Sequence, residues 1–480
     1  MSKFFTLYNV VVFAKVLLIN ALLVLARFWH GVLQKKFLFM KRILAIITVL
    51  SSAFFVSAQT MTMEECMEYA IKHSVSVNKQ HNALDDAKMD YRQSVASLFP
   101  SVSAGVSAAT NLGRSINPEI NSYTTVSTFS NSYSLSASMP LFAGLRYVNG
   151  IRASKVARQR GHSELQIARD NVAMEVMRAY IDVIYYEGTV AIAKEHLSAS
   201  RDILHQAQKL YVLGRKSAAE VAEVASQEAN YDYLLTEQQN NLAMARIKLR
   251  DVMNYPQDAQ LEVVAFAVGD FVPQPIPETE LVSYALSNNV QVQLSELAVK
   301  ERKIHYLKAK GGWFPTISLS AGINTNYFTG FGNRMAYPGF LSQFKNNMGG
   351  YVGLSMSIPI FSNLGQKASV NASRNALRNA ELEMAAMRSA VESEVVQACR
   401  QMEGYGKQYE LAKKKVEASQ LAYDGVAARF AKGLVTAIDL QSASTTLLQA
   451  KSDRLRSLLQ YHIEARIVEY YYGRPFVAVE

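Results

Sequence analysis

The 480-residue chain is poor in the residues that usually announce chemistry. Its two cysteines, Cys66 and Cys399, cannot build a disulfide framework; in an exported protein they could pair with each other, and buried free thiols are the simpler expectation. Eight histidines are scattered, and no cluster of His, Cys and Asp has metal-ligand spacing. GxSxG, the glycine-rich phosphate loop and HExxH are all missing, so hydrolase, nucleotide-binding and zinc-protease chemistry have no residues to stand on. We expect no enzyme and no cofactor. Proline is sparse, 11 in all, which leaves room for long unbroken helices. The formal charge of +10 suggests nucleic acid at first sight, but Lys3, Lys15, Arg27, Lys35, Lys36, Lys41 and Arg42 supply seven of those charges, and residues 1–58 hold no acid. The +3 left for the remainder is too little for a nucleic-acid partner.

What is present is a sequence written twice. Tyr69-Ala70-Ile71 and Val77 return 215 residues on as Tyr284-Ala285-Leu286 and Val292, and Phe99-Pro100 returns as Phe314-Pro315. From there the offset is 219: Pro140-Leu141-Phe142 becomes Pro359-Ile360-Phe361, Ala153-Ser154 becomes Ala372-Ser373, Gly214 becomes Gly433 and Pro256 becomes Pro475. The slip falls between Pro100 and Pro140, in a Ser/Asn/Tyr-rich stretch where a loop can absorb it. So long a period excludes a solenoid. We divide the chain into a first repeat (59–256), a linker with Pro273, Pro275 and Pro277 (257–277), a second repeat (278–475) and a short tail (476–480). Ahead of them, Met40-Lys41-Arg42, an apolar run over 43–56 and Val56-Ser57-Ala58 read as a signal peptide over 40–58. Residues 1–39 read as an upstream extension from a mis-assigned start; an uncleaved membrane anchor is the alternative.

Each copy is expected to run helix, strand, strand, very long helix, helix. The strands fall at 101–113 and 130–142, then at 316–328 and 350–361. Val102, Ala104, Val106 and Ala108 alternate with Ser and Gly; Tyr133, Leu135, Ala137, Met139 and Leu141 alternate with Ser132, Ser134, Ser136 and Ser138. In the second copy Ile317, Leu319, Ala321 and Ile323 oppose Ser318, Ser320 and Asn324, while Val352, Leu354, Met356, Ile358 and Ile360 oppose Gly353, Ser355 and Ser357. Strict alternation makes one apolar and one polar face. An ordinary half-buried sheet gives that pattern too. Here the runs have the length of a tilted membrane strand, and the polar face is Ser and Gly with almost no charge, which suits a narrow water-filled lumen. Four strands are too few to close a barrel, so several chains would have to share one.

The long helices are expected at 145–213 and 364–432, each followed by a second helix, at 217–255 and 436–472. Val176, Val183, Val190, Leu197, Leu204 and Tyr211 stand seven apart, with Val172, Ala179, Tyr186, Ala193, Ser200 and Ala207 four residues earlier. The second copy repeats both rows, as Val395, Met402, Tyr409, Val416, Tyr423 and Phe430 beside Val391, Ala398, Tyr405, Ala412, Ser419 and Val426. This is a sustained heptad seam, and helices of that length reach roughly 100 Å. A long coiled-coil stalk fits the same pattern. Each long helix ends in a glycine cap followed by a new N-cap: Gly214 then Ser217 with Glu220, and Gly433 then Thr436 with Asp439.

This arrangement resembles the TolC family of outer membrane efflux channels over 60–475. The specific pieces are Phe99-Pro100 and Phe314-Pro315 before the first strand of each copy, Pro140–Phe142 and Pro359–Phe361 after the second, and the turn from Phe430 through Gly433 and Thr436 to Leu440. The resemblance implies an α+β membrane protein: a homotrimer whose twelve strands form one outer membrane β-barrel, continued by a helical tunnel in the periplasm. It implies an exit duct of a tripartite efflux or type I secretion system, in contact with outer membrane lipid and partnered by a periplasmic adaptor and an inner membrane efflux pump. A metal-ion efflux duct and a structural or adhesive coiled-coil surface protein are the alternatives. The family's adaptor contacts fall on Leu213, Gly214, Arg215 and Lys216, and on Lys432, Gly433, Leu434 and Val435. Its periplasmic gate carries acids six and nine residues after the turn glycine. Asp439 matches the first; Ser442 stands at the second, a departure, and Glu220 and Glu223 are the first-copy counterparts.

Overall fold

The structure, a computed structural model, describes residues 59–117, 121–125, 127–256, 261–264, 277–331 and 337–477. The expected signal peptide (40–58) and the 1–39 extension lie outside the described residues, as does most of the 257–277 linker. Two compact units separate. Among the described residues the smaller holds Gln59–Met61, Pro256, Leu261 and Glu262, and Gln59–Met61 pairs with the strand Leu261–Val263 in a two-stranded sheet. Part of the expected linker is therefore a strand.

The larger unit holds both repeats. The first runs α1 (Met63–His73), α2 (Val75–Ala96), β1 (Ser101–Asn111), β2 (Thr128–Ala143), α3 (Arg146–Val212) and α4 (Ala218–Met253). The second runs α5 (Glu278–Asn288), α6 (Val290–Lys310), β3 (Thr316–Gly330), β4 (Gly349–Ser357), α7 (Gly365–Ala431) and α8 (Ala437–Tyr471). Side-chain caps set the helix breaks: the Ser74 hydroxyl accepts from Val77 N at 3.4 Å to start α2, and Asn289 Oδ1 accepts from Gln291 N at 2.8 Å to start α6.

Along α3 most of the two heptad rows is buried: Val172, Val176, Ala179, Val183, Val190, Ala193, Leu197, Ser200 and Ala207 are buried, Tyr186 and Leu204 half-buried, and Ala173, Met177, Tyr180, Ile181 and Ile184 widen the buried face. The rows give out at the far end, where Tyr211 is exposed. Around α3 pack α1, α2, α4, α6 and α8, whereas α7 lies against α5, α6 and α8.

The four strands form one antiparallel sheet in the order β1-β2-β3-β4. Its register joins like to like. Val102, Ala137, Ala321 and Val352 form one apolar row, and Ser101, Ser138, Ser320 and Gly353 the polar row beside it. Serine hydroxyls meet across the strands, Ser101 with Ser138 at 3.1 Å, Ser103 with Ser136 at 3.0 Å and Ser318 with Ser355 at 2.9 Å. Each hydroxyl both donates and accepts, so these ladders satisfy a polar face without charge. The first and last strands, β1 and β4, are open edges.

Several boundaries differ from expectation, and the single helix expected ahead of the strands in each copy is two, broken at Ser74 and at Asn289. The strand expected over 350–361 pairs only over Gly349–Ser357, because no strand lies on its outer side to hold 358–361. Its counterpart β2 runs on to Ala143 by pairing with β3 across a bulge at Leu141, between Pro140 and Phe142. The strand expected over 101–113 stops at Asn111, ahead of a left-handed Gly113 that leads into a small hairpin, Arg114–Asn117 with Ser122–Thr125. The equivalent loop of the second copy contains a short helix, Phe340–Asn346. There the Gln343 amide takes the place of a strand, accepting from Phe328 N at 3.0 Å and donating to Phe328 O at 2.8 Å. The four-residue slip falls where these unlike loops sit.

Both copies pass from strand to long helix through two successive left-handed residues, Gly144-Leu145 (φ +60°, +61°) and Asn363-Leu364 (φ +48°, +62°). Gly144 is pressed against Gly311: a Cβ on Gly144 would lie 2.2 Å from the Gly311 carbonyl oxygen. Both cysteines are buried free thiols, and burial, followed by Glu65 and Glu64, pushes the Cys66 thiol up to about 12. Among the described residues no helix is long and apolar enough to cross a membrane, and no group of three His, Cys, Asp or Glu could hold a metal ion.

Candidate functional site

The residues singled out in the sequence gather at the two helical turns. Each long helix ends in a double hydrogen-bonded cap around a left-handed glycine. At the first, Arg215 N donates to Leu210 O and Gly214 N to Tyr211 O, both at 2.9 Å; at the second, Leu434 N donates to Arg429 O at 3.0 Å and Gly433 N to Phe430 O at 2.9 Å. The chain re-enters a helix through complete capping boxes. Ser217 N donates to Glu220 Oε2 at 2.8 Å while Glu220 N donates to Ser217 Oγ at 3.2 Å. Thr436 N and Asp439 Oδ2 are 2.9 Å apart, with the return bond from Asp439 N to Thr436 Oγ1 at 3.2 Å. Aspartate, one methylene shorter than glutamate, still closes the box.

Those bonds hold both carboxylates ionised. Glu220 is lowered by the Ser217 backbone N–H, then by Lys216 and the Ser217 hydroxyl. Asp439 is lowered by the Thr436 hydroxyl and then its N–H. Both are exposed, as is Ser442, while Glu223 is half-buried. Of the eight turn residues, Leu213, Gly214, Arg215, Lys432, Gly433 and Leu434 are exposed, and Val435 is half-buried. Lys216 points inward. Its side chain is only 6% exposed, its Nζ lies 3.2 Å from Glu220 Oε1, and it sits 4.3 Å above the Phe430 ring at the end of α7. A cation over an aromatic face ties the first turn to the second long helix.

Above the turns the four helices share one small core, with Ala207, Val224, Phe430 and Leu440 contributed by α3, α4, α7 and α8. Above that lies a buried polar cluster that sequence reading missed. Tyr231 OH donates to Ser444 Oγ at 2.7 Å, and Ser444 Oγ lies 3.2 Å from His196 Nδ1. These join α4, α8 and α3 beside a cavity of about 30 Å³, room for one water. His196 Nε2 is buried with no protein partner. Burial first, then Lys451, lowers the His196 pKa, opposed by Glu195. Further links join α3 to α8: Lys451 with Glu195 at 2.8 Å, Arg456 with Tyr185 OH at 3.1 Å, and Tyr470 OH with Asp170 Oδ2 at 2.9 Å. The available signal was Ser444, a hydroxyl between Leu440 and Leu447 on the buried stripe of α8; His196 itself stands next to the seam residue Leu197.

An open-edged sheet with an apolar and a serine face, joined to duplicated long helical hairpins with capped turns, defines a membrane channel subunit with a helical extension. The chain matches the outer membrane efflux protein family over residues 67–254 and again over 281–470. It belongs to that family and is an outer membrane protein, as the resemblance implied. It is 24% identical to outer membrane protein TolC of Escherichia coli (strain K12) over 307 residues, 62% of this chain and 60% of that protein, so the match spans less than two-thirds of that relative's length. Identity to Salmonella enteritidis TolC is 22% over 443 residues, 90% of this chain and 86% of that one. The crystal structure of the Campylobacter jejuni CmeC outer membrane channel shares the fold, with a TM-score of 0.74 at 16% identity over 87% of each chain.

Proposed function

We propose that the chain is the outer membrane exit duct of a tripartite efflux assembly: three copies close one twelve-stranded barrel, and their helices continue it as a tunnel into the periplasm. The observation that carries this reading is the sheet. It has two open edges, one apolar face and one uncharged serine face, and in lipid such edges must be paired. Four strands per chain fall short of the smallest usual barrel of about eight, and three copies give twelve. Aromatic residues flank the apolar rows. At one end Tyr133, Phe340 and Phe344 cluster, the two phenylalanine rings 6.2 and 5.5 Å from Tyr133; at the other stand Phe99, Phe142, Phe314 and Phe361. Tyr133 to Phe142 spans about 30 Å along a strand, which a tilt of about 40° reduces to the height of a membrane band.

The duct does no chemistry; it needs a hydrated path, a constriction and a means of opening. The helical turns are the constriction in this reading, with Asp439, Ser442, Glu220 and Glu223 as gate candidates. The exposed apolar side chains Leu213, Leu434 and Ile438 offer a docking patch for a periplasmic adaptor, itself linked to an inner membrane pump. Opening would separate α8 from α3, along the line from Asp170–Tyr470 to His196–Ser444, and adaptor contact at the turns biases that two-state contact. Single-channel conductance in planar bilayers tests the gate. Asp439→Ala combined with Glu220→Ala should raise it, and unchanged conductance would leave those carboxylates as helix caps only.

A further inference from the structure

Charge is spread unevenly over the helices. Residues 146–163 of α3, 302–310 of α6 and 365–380 of α7 hold twelve Lys and Arg and not one Asp or Glu. The +3 carried by residues 59–480 is therefore +12 in these segments against −9 everywhere else. All three adjoin the sheet, since α3 and α7 start, and α6 ends, eight residues or fewer from a strand. At 1.5 Å per residue the cations form a belt within about 27 Å of it. Four of them converge on Gly311–Trp313, a single 3₁₀ turn between α6 and β3. Arg146 Cγ lies 2.7 Å from where a Cβ on Gly311 would stand, and Lys308 Nζ reaches across to Gly150 of α3. Lys310 Nζ sits 4.4 Å above the Tyr306 ring. Gln366, beside Lys367 on α7, donates to Ala309 O. All four cations are exposed. Among the described residues none of the four has an ion-pair partner, whereas Arg160, lower on α3, has two in Glu164 and Glu301.

Helix stability does not ask for this arrangement. The dipole of α6 favours Lys308 and Lys310 at its end, but Arg146 and Lys367 stand in the first turns of α3 and α7, where a cation opposes it. Trp313 projects from the same turn, 54% exposed, three residues before β3 and its apolar row. An indole beside unpaired cations at the end of an apolar face is the chemistry of a bilayer interface, where the ring lies at headgroup level and the charges meet phosphates. We propose that the Gly311–Trp313 turn, with Arg146, Lys308, Lys310 and Lys367, binds anionic phospholipid headgroups in the periplasmic leaflet of the outer membrane. The Arg146 Nε donates to Ala143 O at 3.2 Å, which fixes the guanidinium and leaves its Nη groups for a phosphodiester. A zwitterionic headgroup would bring a cation of its own against the cluster, and an anionic one brings none.

This inference rests on the reading that the sheet lies in lipid with the helices in the periplasm, and it adds the class of lipid and the residues that hold it. Trp29 and Trp313 are the only tryptophans, so in a Trp29→Phe parent the fluorescence reports this turn alone. The full-length protein is reconstituted in phosphatidylethanolamine vesicles with a minor fraction of phosphatidylglycerol, and one lipid or the other carries brominated acyl chains. Brominated phosphatidylglycerol should quench Trp313 about tenfold more per mole than brominated phosphatidylethanolamine. Arg146→Gln, Lys308→Gln, Lys310→Gln and Lys367→Gln together should bring that ratio to about one. Lys310→Gln alone should roughly halve it, and keeps the test open if the fourfold variant fails to assemble. Arg374→Gln with Arg378→Gln, further from the sheet, should leave it unchanged. Equal quenching by both lipids in the parent, or a preference that survives these substitutions at the turn, would overturn the headgroup site. Quenching by neither lipid, with conductance in planar bilayers retained, would overturn the site and keep the duct. Loss of conductance as well would remove the duct reading with it.

Discussion

α3 and α7 are both 67 residues long, carry the same heptad rows and end in the same glycine cap, yet α3 buries 22 residues and α7 nine. The difference lies in the neighbours. The second copy lays α6 and α8 against α3, while no comparable packing of α2 on α7 is present among the described residues. Leu382, Leu411 and Leu421 of α7 are left exposed. The sheet repeats the lesson: β2 and β3 are paired on both sides, β1 and β4 on one. A duplicated unit in one chain can satisfy only the contact from first copy to second. The return contact, from second copy to first, needs another molecule. In the proposed ring of such chains a neighbour would supply it, and burying the α7 leucines would be worth about 1.5–3 kcal/mol for each side chain fully covered.

The sharpest way to break this comparison is to exchange residues between copies where their surroundings differ most. Gly311 corresponds to Ala96, and a Cβ at 311 would meet the Gly144 carbonyl oxygen at 2.4 Å. Gly311→Ala should therefore cost about 1–3 kcal/mol through overpacking against backbone that cannot yield. Ala96→Gly, at the end of α2, should cost about 1 kcal/mol or less. Heat-induced loss of the folded form on unboiled gels would report both, and equal shifts would mean that the two junctions are equivalent after all.

A more local effect of similar size is expected between the helical hairpins. Ser444→Ala leaves Tyr231 OH and His196 Nδ1 without their partner in a buried site, at a cost of about 1–3 kcal/mol. Hydrogen exchange should rise locally in α8 around residues 440–451 and stay unchanged in the α1–α2 segment. Protection lost evenly over the whole chain would argue against a local tie.

The smallest effect is pH-dependent. His196 is shifted down in the folded protein, so between its folded value and the ordinary value near 6.5 the unfolded chain binds more protons. The stabilisation is complete above about pH 6.5 and declines as pH falls toward the folded value. Amide protection around Ser444, corrected for the intrinsic pH dependence of exchange, should fall from about pH 7.5 to about pH 5.5, and His196→Gln should flatten that dependence. His462 on α8 is lowered by burial in the same direction, so only exchange next to Ser444 reads out His196; an unaltered profile in His196→Gln would assign the effect elsewhere.

Much of the architecture was legible because it is periodic. Seven-residue spacing marked the buried face of α3, two-residue spacing marked the strand faces, and Gly214, Gly433, Ser217 and Thr436 marked the turns to within a residue. The ragged parts were not. Gln343 replaces a strand with a side-chain amide, and no pattern encodes that. Strand 350–361 stopped at Ser357 because pairing depends on a neighbour, which local alternation does not register. Lys216 reads as a solvent-facing turn residue until the end of α7 arrives beside it, and His196 meets Tyr231 and Ser444 from 35 and 248 positions away in the chain.

By itself, then, the sequence determined the duplication, the faces of strands and helices, and the caps, because each follows from spacing over a few residues and from side-chain chemistry. Tertiary structure alone decided which copy is covered and which left open, where Gly144 and Gly311 must touch, and that a lysine, a histidine, a tyrosine and a serine link the two hairpins. Those outcomes depend on which distant segments become neighbours. Two repeats of one architecture therefore end in different surroundings, because one chain can wrap only one of them.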